Sequence, residues 1–329
     1  VGRRNSPIRP LELVHEGGHA TGLGGAWDQH HEAFAAFVAK HARGDVLEVG
    51  GGGGKLARFF RRIEAEARWC ILEPNPTLAE PIARASLMRG FFDANVSLPD
   101  GVETLVFRHC LEHIYDLAGI VAVMATKLPI GGRILIAWPN IERWILRGEP
   151  RALNWEHTFF VATDVLARLF QAHGFRLVER AAFGSDHSHF LALENTGARE
   201  QPMFSGKDAS ATGTHIRAYF DSFARKATAL NAVAREEARP IYAAPASIYS
   251  QYLFAFGLEA RRLAGLIDNS PLKQGRRLYG VALANNSSAA LAERPSAVFL
   301  NGGAHNAEMA TSFRRANPET EIVFVNAMG

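Results

Sequence analysis

The chain has 329 residues, 47% apolar and 21% charged, a balance that excludes a disordered or collagen-like polypeptide. At roughly 150 residues per domain, its length predicts about two domains. The formal charge of +3 comes from 36 basic and 33 acidic residues scattered along the chain, which gives no basic stripe for nucleic acid. No apolar run approaches the roughly 18 residues of a membrane-spanning helix, so the expectation is a cytoplasmic protein without a nucleic-acid or membrane partner.

Residues 26–42, AWDQHHEAFAAFVAKHA, carry apolar side chains at helical spacing, with His30 and His31 read as exposed on the polar face. DVLEVG (45–50) is a buried parallel strand that ends in glycines, and KLARFFRRIEAEA (55–67) is the helix after it. WCILEP (69–74) is a strand, TLAEPIARASL (77–87) a helix, and VETLVFRHC (102–110) a further strand. A helix over 117–127 and the strand GGRILIAWPN (131–140) complete an alternation typical of a parallel sheet covered on both faces. Cys70 and Cys110 lie in these strands and read as buried free thiols; two cysteines make neither a disulfide framework nor a four-thiolate zinc site.

The pattern changes after residue 160. A helix over 162–175 leads into RLVERAAFG (176–184) and SHFLALEN (188–195), whose short connection suits an antiparallel pair at one edge. Residues 196–215 are polar and glycine-rich, and a long helix spans about 216–237. PIYAAPA, SIYSQYLFAFGLE, LAGLIDNS, SAVFLN, AEMATSFRRAN and EIVFVN then repeat the strand–helix logic on a smaller scale. The predicted division is an N-terminal helical segment (1–44), a nucleotide-binding domain (45–197), a linker and long helix (198–237) and a smaller α/β domain (238–329).

The loop Glu48-Val49-Gly50-Gly51-Gly52-Gly53-Gly54-Lys55 lies between the first strand and its helix, where glycine lets a ligand approach the backbone. A phosphate-binding loop fails twice, at Val49 and Leu56, and the dinucleotide spacing G-x-G-x-x-G fails at Lys55 or Leu56. The pattern that fits is E-x-G-x-G-x-G, with Glu48, Gly50, Gly52 and Gly54.

There the sequence resembles the class I S-adenosylmethionine-dependent methyltransferases, which implies a Rossmann-like sheet and S-adenosyl-L-methionine as cofactor, with S-adenosyl-L-homocysteine as product. Glu73, 19 residues after Gly54 and followed by Pro74, falls where the family holds the ribose hydroxyls. Phe92 and Asp93 match the positions that flank adenine, and Arg108-His109 in FRHCLEHIYD matches the stretch beside the methionine moiety.

NWEHTFF (154–160) resembles a segment of the sugar C-methyltransferases in which an acid–His pair approaches the acceptor. The stretch from Ser247 through NGGAHNAEM resembles the C-terminal domain of those and related glycan-locus enzymes. The resemblance implies His157 as general base, with Glu156 beside it, and Asn154 and Trp155 against the acceptor. His113, His187 and His189 are further candidates near the same sheet edge. Lys273 and Arg276 in IDNSPLKQGRRLYG read either as solvated charges or as a clamp for an acceptor's diphosphate.

Two departures stand out. There is no cysteine before Cys70 to build the family's N-terminal zinc lobe, and Asn154 replaces a Tyr three residues before the His. A missing enolate-stabilising tyrosine disfavours C-methylation of a keto sugar. The expected reaction is O-methylation of a sugar or nucleotide-linked sugar, with no metal; C-methylation and a non-catalytic ligand-binding protein are the alternatives.

Overall fold

The computed structural model describes residues 2–3, 25–78, 80–153, 157–184, 187–199, 206–278, 281–303 and 306–327. Asn154, Trp155 and Glu156 of the predicted site lie outside them. Two compact units divide the chain, one of residues 1–143 and 155–204, the other of 144–154 and 205–329.

The first unit is built on strands β1 (Asp45–Val49), β2 (Trp69–Leu72), β3 (Ala85–Met88), β4 (Val102–Arg108), β5 (Arg133–Pro139), β6 (Phe175–Phe183) and β7 (Ser188–Asn195). Their order across the sheet is β3-β2-β1-β4-β5-β7-β6. All neighbours are parallel except β7, which runs antiparallel between β5 and β6. The expected antiparallel pair therefore exists, with its reversed strand one place in from the edge.

Strands this apolar are buried on both faces because helices cover both. Leu47, Leu105, Phe107, Ile134 and Leu191 pack with α3 (Leu117–Lys127) and α5 (Thr163–Ala172). Val46, Ile71, Val106, Leu135 and Phe190 pack with α1 (Gly25–His41) and α2 (Lys55–Phe60). The short helix α4 (Ile141–Leu146) follows β5.

Several sequence expectations are corrected. Residues 77–87 contain no helix among the described positions; they end in strand β3, because Pro81 and a left-handed Arg84 (φ 52°) interrupt any helix. Helix α2 stops at Phe60, not 67, and the Arg61 guanidinium donates to the carbonyls of Glu64, Ala65 and Arg84 across the turn that follows. Cys110 lies beyond the end of β4. His30 and His31 are not exposed: both are buried, and His31 stacks on Phe59.

In the second unit, α6 (Gly206–Glu236) starts ten residues earlier than expected, so half of the predicted linker is helical. Its Tyr219, Phe223, Ala227, Leu230 and Ala234 form one buried stripe at helical spacing. The strands β8 (Ile241–Ala244), β9 (Gly265–Ile267), β10 (Asn285–Asn286), β11 (Ala297–Leu300) and β12 (Glu321–Phe324) are all parallel, ordered β10-β9-β8-β11-β12. Helices α7 (Ile248–Ala255) and α8 (Asn306–Ala316) complete it.

The unit also takes residues 144–154 from the middle of the chain, because Trp144 and Ala152 join a cluster with Tyr219 and Phe223. Truncating a buried tryptophan costs about 3–5 kcal/mol, so Trp144→Ala should lower the free energy of this unit's unfolding by about that amount. Chemical denaturation followed by circular dichroism would measure it.

Candidate functional site

Chain order reverses between β1 and β4, and in open α/β sheets ligands bind in the crevice beyond the carboxyl ends of the strands at such a reversal. The glycine loop leaves β1 there, with Gly50, Gly52 and Gly54 at φ 76°, 52° and 69°. A Cβ at Gly54 would lie 2.6 Å from Ile82 Cδ1, and one at Gly51 would lie 2.9 Å from Glu48 Cδ. At position 54 it is the left-handed backbone angle that favours glycine, since a Cβ there would meet only the ends of flexible Ile and Leu side chains.

Glu73, at the exit of β2, is buried and accepts the Gly52 N–H (3.0 Å) on one oxygen and the Asn75 N–H (3.0 Å) on the other. One carboxylate thus fixes both loops, and each oxygen keeps a second lone pair for a hydroxyl donor. This donor-accepting carboxylate beside a bare glycine backbone fits a ribose. Glu73→Ala should weaken S-adenosylhomocysteine binding by on the order of 1–3 kcal/mol, measured by calorimetry.

Glu48 lies under the loop. Its carboxyl accepts Trp69 Nε1–H (2.9 Å), and burial pushes its pKa up to about 7, against the pull of the Arg108 guanidinium. Burial also lowers the Arg108 pKa, with Glu48 and Glu112 opposing. The Phe92 ring is buried in the core, edge-on to Phe107 at 5.7 Å. Asp93 is exposed and turns one oxygen onto the Asn95 N–H, while Pro74 lies two residues past the end of β2.

The exit of β4 carries a histidine cluster. His109 sits at φ 47°, and its Nδ1 meets Glu112 Oε1 at 3.1 Å. Its Nε2 faces His30 Nε2 and Ser188 Oγ, each at 3.3 Å, and Ser188 Oγ meets His187 Nδ1 at 2.7 Å. Trp27 packs against His30, His109 and His187, with ring centroids 5.4–5.8 Å apart. Burial drives the pKa values of His30 and His109 far down, so both are neutral.

On the other side of Glu112, the His113 and His157 rings lie 5.2 Å apart. Thr158 donates its N–H to the Glu112 carbonyl (2.8 Å) and its hydroxyl to the Ile114 carbonyl (2.7 Å), tying the 157–158 segment to the turn after β4. His157 and His113 therefore share one corner, and Glu112 joins it to the His109 cluster. Sequence reasoning did not single out Glu112 and favoured simple exposure for His30, its fourth candidate for the base. The i, i+3 spacing of His109 and Glu112 was the available signal.

His189 belongs elsewhere. Its ring nitrogens contact Asn140 (3.1 Å), Thr163 (2.8 Å) and Arg180 (3.1 and 3.3 Å), so they are already engaged by neighbours in the sheet's α5 layer.

In the second unit, Lys273 borders a cavity of about 500 Å³ near the carboxyl ends of β8, β9 and β11. Its ammonium is held by Asp268 (2.6 Å) and the Ala246 carbonyl (3.0 Å), which offsets its charge toward a phosphate. Arg276 is exposed.

The sheet order, the glycine loop and the acid closing β2 define an S-adenosylmethionine-type methyltransferase fold. Residues 25–180 match the family model of a methyltransferase domain, and the cofactor of that domain is S-adenosyl-L-methionine. When bound, it supplies an electrophilic methyl group on a sulfonium.

Among solved structures, the chain is similar to the pyocyanin biosynthetic protein PhzM (14% identity, 50% of this chain and 55% of that one, TM-score 0.43). It is similar too to the mitomycin 7-O-methyltransferase MmcR (18%, 50% and 54%, TM-score 0.41). A third is the N-methyltransferase NodS from Bradyrhizobium japonicum WM9 (15%, 51% and 94%, TM-score 0.39). The match spans only about half the length of the first two. No curated protein sequence matches the chain. Among the described residues, no helix is long and apolar enough to cross a membrane.

Proposed function

We propose that the chain transfers a methyl group from S-adenosyl-L-methionine to a hydroxyl oxygen of a sugar or nucleotide-linked sugar, in the cytoplasm, with His157 receiving the hydroxyl proton. The observation that carries this reading is the pinning of His157 against the turn after β4, beside His113 and Glu112. Ligands of open α/β sheets sit at that edge, and a hydroxyl needs a base to become a nucleophile. The scattered charge supports a small acceptor over a polyanion.

Incubation with isotope-labelled cofactor and nucleotide-sugar pools, followed by mass spectrometry, should give one labelled, methylated product. Label transfer only to protein or RNA fractions would sink the small-molecule reading. Absence of calorimetric S-adenosylhomocysteine binding would sink turnover altogether.

A further inference from the structure

Glu112 is 1% exposed, and only one of its oxygens is accounted for by His109; Oε2 is buried with no hydrogen-bond partner among the described residues. A buried carboxylate left half satisfied is expensive unless a cation completes it. Two imidazoles stand beside it. One ligand atom each from Glu112, His113 and His157 lies within 4.8 Å of the other two.

The three come from two segments held in register by the Thr158 bonds to the Glu112 and Ile114 carbonyls, so their spacing is fixed by backbone. Side-chain rotation closes 4.8 Å toward the roughly 3.3 Å between ligands of a four-coordinate zinc site. His109 on Oε1 supplies the outer hydrogen bond that orients a metal-binding carboxylate.

We propose that Glu112, His113 and His157 bind a zinc-class divalent cation and leave its fourth position open to the acceptor hydroxyl. Two imidazole nitrogens and one carboxylate favour zinc or a similar transition ion over magnesium or calcium, which take oxygen ligands.

The inference rests on the acceptor reading above and changes one step of it. A hydroxyl bound to the cation through oxygen becomes more acidic. Its O–H bond breaks, the electron pair stays on oxygen, and the proton leaves to solvent water. The oxygen then forms the new O–CH3 bond while the S–CH3 electron pair returns to sulfur, with no change of oxidation state. His157 is the base only in the metal-free protein, because a coordinated imidazole has no lone pair to give.

The test uses the full chain, stripped with a chelator and titrated with Zn²⁺ by calorimetry and with Co²⁺ by visible absorption. One equivalent per chain is expected, with a tetrahedral Co²⁺ spectrum. Glu112→Gln and His113→Gln should weaken Zn²⁺ binding about 100-fold or more, yet still bind S-adenosylhomocysteine as proof of folding. No Zn²⁺ binding by the wild-type chain, or equal binding by both variants, overturns the site. Full turnover of the stripped protein overturns its role in the reaction. Should the stripped protein turn over and His157→Asn not, the base reading stands and the cation falls. Should Zn²⁺ bind while no sugar is methylated, the site stands and the acceptor reading falls.

Discussion

His157→Asn should lower turnover by about 10²–10⁴-fold while S-adenosylhomocysteine affinity stays nearly constant. Asparagine preserves polarity and most of the volume but offers neither a titratable nitrogen nor a comparable metal ligand. In the proposed cofactor half, Glu73 accepts the Gly52 and Asn75 N–H groups without His157, so binding and turnover should separate. Steady-state kinetics beside calorimetry reads both quantities on one preparation. Normal turnover would place proton removal elsewhere, and the Glu112–His109 pair, at 3.1 Å, is the next candidate. Loss of cofactor affinity in step with turnover would instead mean that the substitution disturbs the turn after β4.

The geometry of the proposed cofactor half was legible in the sequence because it is local. Glycines at alternate positions and an acid closing the next strand are fixed by backbone geometry within 25 residues, and Glu73 does bridge both loops. The proposed acceptor half draws on four separated segments. Trp27 and His30 come from α1, His109 to His113 from the exit of β4, His157 from beyond α4, and His187 to Ser188 from the entry to β7. No spacing rule links them. His30 was misjudged because hydropathy patterning treats histidine as polar, whereas a neutral imidazole packs readily among Phe34, Phe183 and Phe190. Strand β3 was missed for a related reason. Its Ser86 and Leu87 are exposed, so it lacks the apolar run that marked β1 and β4, and alanines nearby imitate a helix.

The buried histidines predict a steep response to acid. His31 has its pKa pushed down to about 4 by burial, the nearby Arg108 charge adding to this, and burial holds His30 lower still. Both are near 6.5 when unfolded, so between about pH 6.5 and 4 the unfolded chain binds more protons and stability falls as pH falls. For His31 the whole difference is about 3 kcal/mol, fully available above pH 6.5 and lost by pH 4. Glu48 acts in the opposite sense. Its carboxyl titrates near 7 when folded against 4.5 unfolded, so the native state binds the extra proton between those values and is strengthened as pH falls through them. His30, His31 and His109 against the one Glu48 carboxyl leave a net loss of about two protons' slope, roughly 2.7 kcal/mol per pH unit between about pH 6 and 5. The variants separate the terms. Glu48→Gln should raise stability at pH 8, where the ionised carboxylate is most costly, and steepen the acid slope by about half. His31→Leu should roughly halve the slope, because His30 and His109 still oppose Glu48. Urea unfolding of the cofactor-free chain at half-unit steps from pH 8 to 4.5 would measure all three, and parallel curves for wild type and Glu48→Gln would show that Glu48 stays ionised beneath the glycine loop.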